Sequence, residues 1–162
     1  MNMLRLRKLK IDDKKYFAQW WRDVELLKFT SGVLKRISDE ELDEYFQNIF
    51  TSTKDYHFLI TLNKKVIGHI SLSQRKNGWY EIQIIIGEEQ FRGKGYGSKA
   101  IKLAVSRAKR LGIAQIYLEV RPNNTRAIHA YEYCGFQKVR TITYPKNKYL
   151  LKTIRMELNI DL

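Results

Sequence analysis

In 162 residues, 30 Lys and Arg stand against 17 Asp and Glu, a formal net charge of +13, and the 44% hydrophobic and 12% aromatic content excludes disorder as a whole-chain state. The length suits one domain spanning 1–162. A lone Cys134 excludes an internal disulfide and a thiolate zinc centre. With no apolar run suited to a signal peptide or a membrane span, the expectation is a cytoplasmic protein without a membrane partner.

Taken in chain order, Leu4 and Leu6 alternate with Arg5 and Arg7 as in a first strand, and Asp12-Asp13 reads as the cap of a helix running through Trp20-Trp21. Ser38 with Glu41 three residues on is a capping box, followed by Leu42, Tyr45, Phe46 and Ile49 at helical spacing. Strands near 55–62, 65–74 and 79–86 follow, joined by tight turns at Asn63-Lys64 and Asn77-Gly78. From Gly95 to Leu111 the apolar set Ala100, Ile101, Ala104, Val105, Ala108 and Leu111 is helical, and Gly112 ends it. A strand at 115–121, a helix from Asn124 to Cys134 and strands around 136–143 and 149–158 complete the chain. The predicted class is α/β, a mixed sheet with a late strand-helix-strand crossover.

The most informative segment is a buried strand, Ile84-Ile85-Ile86, feeding a glycine-rich loop that opens a long helix. Alternate glycines let backbone N–H groups converge, the helix N-terminus adds partial positive charge, and Arg92, Lys94 and Lys99 add whole charges, so a phosphate ligand is expected. A nucleotide P-loop does not fit, because five residues separate Gly87 from Gly93 and Gly95 stands where its hydroxyl belongs. A dinucleotide fingerprint fails too, since Ser98 replaces its third glycine.

The hexapeptide Arg92-Gly93-Lys94-Gly95-Tyr96-Gly97 resembles the acetyl-CoA signature of the GNAT family of N-acetyltransferases. A second element, Asn124-Thr125-Arg126-Ala127-Ile128-His129-Ala130-Tyr131 through Gly135-Phe136, carries that family's Asn, Ala, Tyr and Gly-Phe in register. The look is closest to the ribosomal-protein and spermidine acetyltransferase branch, although Phe29-Thr30-Ser31-Gly32 and the cations Lys35 and Arg36 stand where paired acids would hold a polyamine. The resemblance implies a GNAT-type mixed twisted sheet of about six to seven strands, splayed between strands 4 and 5, with about four helices. It also implies acetyl-CoA as co-substrate, no metal, and transfer to a primary amine of a small molecule or a protein N-terminus by direct attack in a ternary complex.

On the same basis Ile84, Ile85 and Ile86, Arg92 to Gly97, Asn124, Arg126 and Tyr131 hold the coenzyme, with one N–H of 84–86 facing the thioester oxygen. Tyr131 is the expected acid, since a phenol stays protonated at neutral pH, against the alternative of an aromatic on a buried helix face. Glu81 is the expected base, against the alternative of a carboxylate on a solvated strand face. His57, His69 and His129 lack metal-ligand spacing, and the first two read as structural strand residues. The acids at 39–44 read as a helix N-terminal face whose field could also draw in a cationic amine. Two rivals remain: a basic nucleic-acid-binding domain, disfavoured by the spread of the charge, and a coenzyme sensor without turnover. Acceptor identity rests on loops at 29–38, 74–78 and 143–149. Oligomeric state is left open, a homodimer included.

Overall fold

The computed structural model describes residues 2–30 and 36–162. Strand β1 (Leu4–Lys8) buries Leu6, and its end is fixed by Asp13, which is 3% exposed and accepts both Arg7 guanidinium nitrogens at 2.8 Å and the Lys10 amide at 2.6 Å. Burial alone would raise the Asp13 carboxyl, but the Arg7 hydrogen bond, the Lys10 amide and the two positive charges outweigh it and hold it below the usual carboxylate range. Asp12-Asp13 therefore forms a short 3-10 turn, and helix α1 (Lys14–Trp20) starts after it.

The chain then bends, and α2 (Val24–Thr30) begins anew where the Asp23 carboxylate accepts the Leu26 amide at 3.2 Å. This helix is absent from the sequence expectation, and it brings the described residues to five α-helices instead of about four. Helix α3 (Asp39–Thr51) starts on the expected capping box, with Ser38 and Glu41 exchanging amide-to-side-chain bonds at 2.9 and 3.1 Å. Residues 31–35, part of the first expected acceptor loop, lie outside the described residues.

Strands β2 (Tyr56–Leu62), β3 (Lys65–Gln74) and β4 (Trp79–Ile86) form the expected meander, its turns using positive φ at Asn63, Lys64, Asn77 and Gly78. Helix α4 (Tyr96–Arg110), strand β5 (Gln115–Val120), helix α5 (Thr125–Tyr133) and strands β6 (Gln137–Thr143) and β7 (Lys152–Asn159) follow. The seven strands run in the order β1-β2-β3-β4-β5-β7-β6, and the β4–β5 pair alone is parallel.

Strand alternation gives the sheet two apolar faces. On one, Ile70, Leu72, Ile82, Ile116, Leu118 and Met156 pack against Ala100, Ile101 and Ala104 of α4 and Ile128 and Tyr131 of α5. On the other, Leu59 and Val66 pack against Phe17, Trp20, Leu26, Leu42 and Phe46 from α1, α2 and α3. Each fully buried side chain of this size is worth about 1.5–3 kcal/mol, so both helical layers are anchored by burial more than by propensity. The second layer packs on Leu59 of β2 and Val66 of β3, with Ile85 of β4 at its edge.

Candidate active site

Strands β4 and β5 pair only through Trp79↔Gln115, Tyr80↔Ile116 and Glu81↔Tyr117. Beyond Glu81 they part, and the β5-facing edge of β4 from 82 to 86 is left without a strand partner. The expected splay is present. It opens into a cleft of about 1820 Å³ that passes through the sheet, lined on one side by Arg92, Gly93, Gly95, Asn124, Arg126 and Tyr131 and on the other by Glu25, Glu41, Asp55, His57, His69, Glu81 and Glu119.

The loop after β4 closes the first side. Gly93 and Gly95 have φ of 71° and 84°, a left-handed geometry that suits glycine, and Gly95 is the N-cap of α4. Gly87 is needed for a different reason: a Cβ there would fall 2.0 Å from the indole nitrogen of Trp20. Arg92 turns back and donates to the Ile86 and Gly87 carbonyls, both at 2.8 Å, with Asp23 3.6 Å away, so it braces the loop. Arg126 of α5 lies over Gly93, its guanidinium about 3.5 Å from where a Cβ would stand. Lys94 is exposed, while Tyr96 faces Phe91 and Lys99 on the loop's outer side. Asn124 caps α5 through the Ala127 amide at 3.3 Å.

Tyr131 sits on the inner face of α5, 9% exposed, edge-on to Phe136 and bordering the cleft. Burial, helped by nearby Cys134, raises its hydroxyl above the ordinary phenol range, so it is protonated at any physiological pH. The buried-aromatic alternative holds for this residue, whose ring also borders the cleft. Cys134 itself is half-buried against the Ser98 carbonyl, with its thiol pushed up by burial.

On the opposite side, Glu81 stands at the point of the splay, its carboxylate accepting Arg75 at 2.7 Å with only 14% of the side chain exposed. Two carboxylates escaped sequence reasoning. Glu119 of β5 accepts the Thr153 hydroxyl at 2.6 Å and the Tyr144 hydroxyl, and Tyr144 is pushed up to about 12 by burial and by that bond. Asp55 accepts the Gln74 amide at 3.0 Å. Among the described residues neither is in an ion pair. The alternation of β5 could have found Glu119, since Tyr117 and Glu119 lie opposite the buried Ile116, Leu118 and Val120.

The acids at 39–44 are largely engaged: Asp39 with Arg22, Asp43 with Lys14, and Glu41 in the capping box. Of the adjacent tryptophans at the end of the first helix, Trp20 is core, 1% exposed, and it and Trp21 both border the cleft. Among the described residues no three His, Cys, Asp or Glu side chains come together as metal ligands, and no helix is long and apolar enough to cross a membrane.

Residues 3–137 match the acetyltransferase (GNAT) domain. The chain belongs to the GNAT family. It is an acetyl-CoA-dependent N-acetyltransferase of amines. Among its relatives, an uncharacterized N-acetyltransferase of Escherichia coli is 25% identical over 138 residues, covering 83% of this chain and 82% of that one. Spermidine N(1)-acetyltransferase of Vibrio cholerae is 32% identical over 103 residues, 61% of this chain and 59% of that enzyme. The fold of this acetyltransferase superposes on a crystal structure of the Vibrio cholerae spermidine N-acetyltransferase, solved with CoA and spermine, with a TM-score of 0.83 over 96% of this chain and 95% of that one at 24% identity. An aminoglycoside acetyltransferase bound to coenzyme A gives 0.78 over 98% and 95% at 19% identity.

Proposed function

We propose that the acetyltransferase moves the acetyl group of acetyl-CoA to a primary amine of a small cationic acceptor, by direct attack while both substrates are bound. The carrying observation is the division of charge across the cleft. Arg126 and the helix α4 N-terminus stand on the side of the glycine loop with Glu89, whereas Glu25, Glu41, Asp55, Glu81 and Glu119 face the other side against Arg36, and Asp55 and Glu119 are in no ion pair among the described residues. A chain of net charge +13 would otherwise repel a polyamine or an aminoglycoside, and this local reversal removes that objection.

In this reading the coenzyme phosphates lie on Gly93, Lys94, Gly95, Tyr96 and Gly97, with Arg126 above and Arg92 holding the loop's shape. Asn124 fixes the start of α5 beside them. The unpaired edge of Ile84, Ile85 and Ile86 takes the pantetheine arm and directs an N–H at the thioester oxygen, a contribution of about 3–4 kcal/mol where such donors have been removed elsewhere. The amine lone pair attacks the carbonyl carbon, the carbon–sulfur bond breaks, and the departing thiolate takes the Tyr131 proton. In place of the expected base role, Glu81 joins Glu119 in holding the acceptor's ammonium groups, its carboxylate already accepting Arg75 at 2.7 Å. The protein acts in the cytoplasm without nucleic acid, either as a monomer or as a homodimer.

An amine panel of spermidine, spermine, kanamycin, a neutral monoamine and a peptide with a free N-terminus, followed by thiol release and product mass, tests it. Multiply charged acceptors should show the highest kcat/KM; a preference for the neutral amine or the peptide would overturn the cationic-acceptor reading.

A further inference from the structure

The mechanism so far leaves one proton without a destination. A primary amine of pKa near ~10.4 reaches the cleft as an ammonium at neutral pH and has no lone pair for attack until that proton leaves. Glu81 is tied to Arg75, and Glu119 already accepts two hydroxyls.

Between these carboxylates and the first helical layer lie two histidines that the reaction has not used. His57 of β2 and His69 of β3 border the cleft with rings stacked at 5.3 Å and only 5° apart, and His57 Nδ1 is 3.0 Å from His69 Nε2. That contact needs one N–H and one lone pair, so the two rings share a single proton between them. The Phe17 ring stands edge-on to His69 at 4.9 Å and fixes its plane. Among the described residues the His69 ring makes no other hydrogen bond, so its Nδ1 is not engaged, and the residue borders the cleft.

The placement is directional. His69 is the cross-strand partner of Ile85, in the stretch expected to hold the thioester, and His57 lies two pairs further along, the next on that face, and feels the charge of Asp55. The inner ring therefore adjoins the reacting carbonyl and the outer ring adjoins an acidic cleft wall.

We propose that His69 and His57 form a proton relay that strips the acceptor ammonium and delivers its proton to solvent at Asp55. The inference rests on the acetyl-transfer reading above. His69 Nδ1 takes the ammonium proton through its lone pair; the His69 Nε2–H bond breaks as its proton passes to His57 Nδ1; and His57 releases its Nε2 proton to water. Both rings end as the opposite neutral tautomer, the amine gains its lone pair, and one proton has left the cleft. The reverse tautomer shift through solvent resets the pair. Burial favours the neutral rings this needs, depressing His57, and taking His69 to about 3 with help from the neighbouring ring. The other charged or titratable groups on that side are Asp55, Glu81 and Glu119 of the sheet, Glu25 of α2, Glu41 and Tyr45 of α3, and Arg36, all lining the cleft, with Tyr16 of α1 packed in the same apolar layer.

The test is kcat/KM for the best acceptor among spermidine, kanamycin and a short peptide, measured at neutral pH and near pH 9.5 for wild type, His57→Gln and His69→Gln. A relay predicts a loss of about tenfold or more at neutral pH that shrinks severalfold near pH 9.5, where the free-amine fraction has risen from under about a thousandth to about a tenth. Acetyl-CoA affinity should be unchanged, and the double variant no worse than either single. His57 is half-buried on the cleft wall, so His57→Gln remains informative if His69→Gln fails to fold. An active wild type with no loss in the variants, or with the same loss at both pH values, overturns the relay alone. No thiol release by wild type with any amine overturns the transfer reading and the relay with it.

Discussion

At the scale of single residues, Tyr131 and Asp13 show opposite uses of burial. Tyr131 is kept protonated by its surroundings, so Tyr131→Phe removes a proton and little packing. Its kcat should fall by about a hundred- to ten-thousandfold with acetyl-CoA affinity intact, measured by steady-state kinetics beside calorimetry. An unchanged kcat would strip it of the acid role. Asp13 instead holds a charge in the core because Arg7 and the Lys10 amide satisfy it, and Asp13→Ala should cost about 2–4 kcal/mol in urea unfolding by orphaning Arg7. The place of Tyr131 on the inner face of α5 could be read from the sequence because it stands a fixed helical distance from Asn124, the cap of that helix. For Glu119, strand alternation gives the face but not its partners, the hydroxyls of Tyr144 and Thr153 that come from 25 and 34 residues away.

At the scale of elements, strands, turns and caps follow from local chemistry, and most were legible: the Ser38–Glu41 box, the Asn63-Lys64 and Asn77-Gly78 turns, and Gly112 after α4. What was missed depends on interruptions. Asp23 restarts a helix after the bend at Trp21-Arg22, and no periodicity announces it. A bulge between Ile60 and Thr61 matters more. The tight turn sets Leu62 against Lys65 and Thr61 against Val66, a register that would carry His57 to Ile70 and put the two histidines on opposite faces. The one-residue shift pairs His57 with Ser71 and Leu59 with His69, and so brings both rings into the cleft. The end of β4 is equally specific in its demand. Gly87→Ala drives a methyl into the Trp20 indole and should lower stability by about 1–3 kcal/mol while weakening acetyl-CoA binding, read by thermal shift with and without the coenzyme. Full tolerance of alanine would mean that Trp20 does not set the position of the loop.

At the scale of the molecule, a charge of +13 surrounds a cleft whose acceptor side is acidic. The excess cations favour an anionic coenzyme, and the proposed cationic acceptor would meet the carboxylates of the cleft. The buried histidine pair ties the fold to pH as well. His69, at about 3 in the fold against an ordinary value of 6.5, stays neutral while the unfolded chain takes up a proton, so below pH 6.5 stability falls by up to about 1.4 kcal/mol per unit from this group, levelling near pH 3. His57, also depressed, adds to the loss in the upper part of that window. Urea midpoints at pH 7, 5 and 4 should decline accordingly, and a flat profile would mean that the pair is solvated.

The most direct measurement combines the protein with acetyl-CoA and spermidine and follows thiol release together with the mass of the amine product. Stoichiometric free CoA and an acetamide, formed only when the amine is present and nearly abolished by Tyr131→Phe, is the predicted result. Tight acetyl-CoA binding with no thiol released across spermidine, spermine, kanamycin, the neutral amine and the peptide would contradict it.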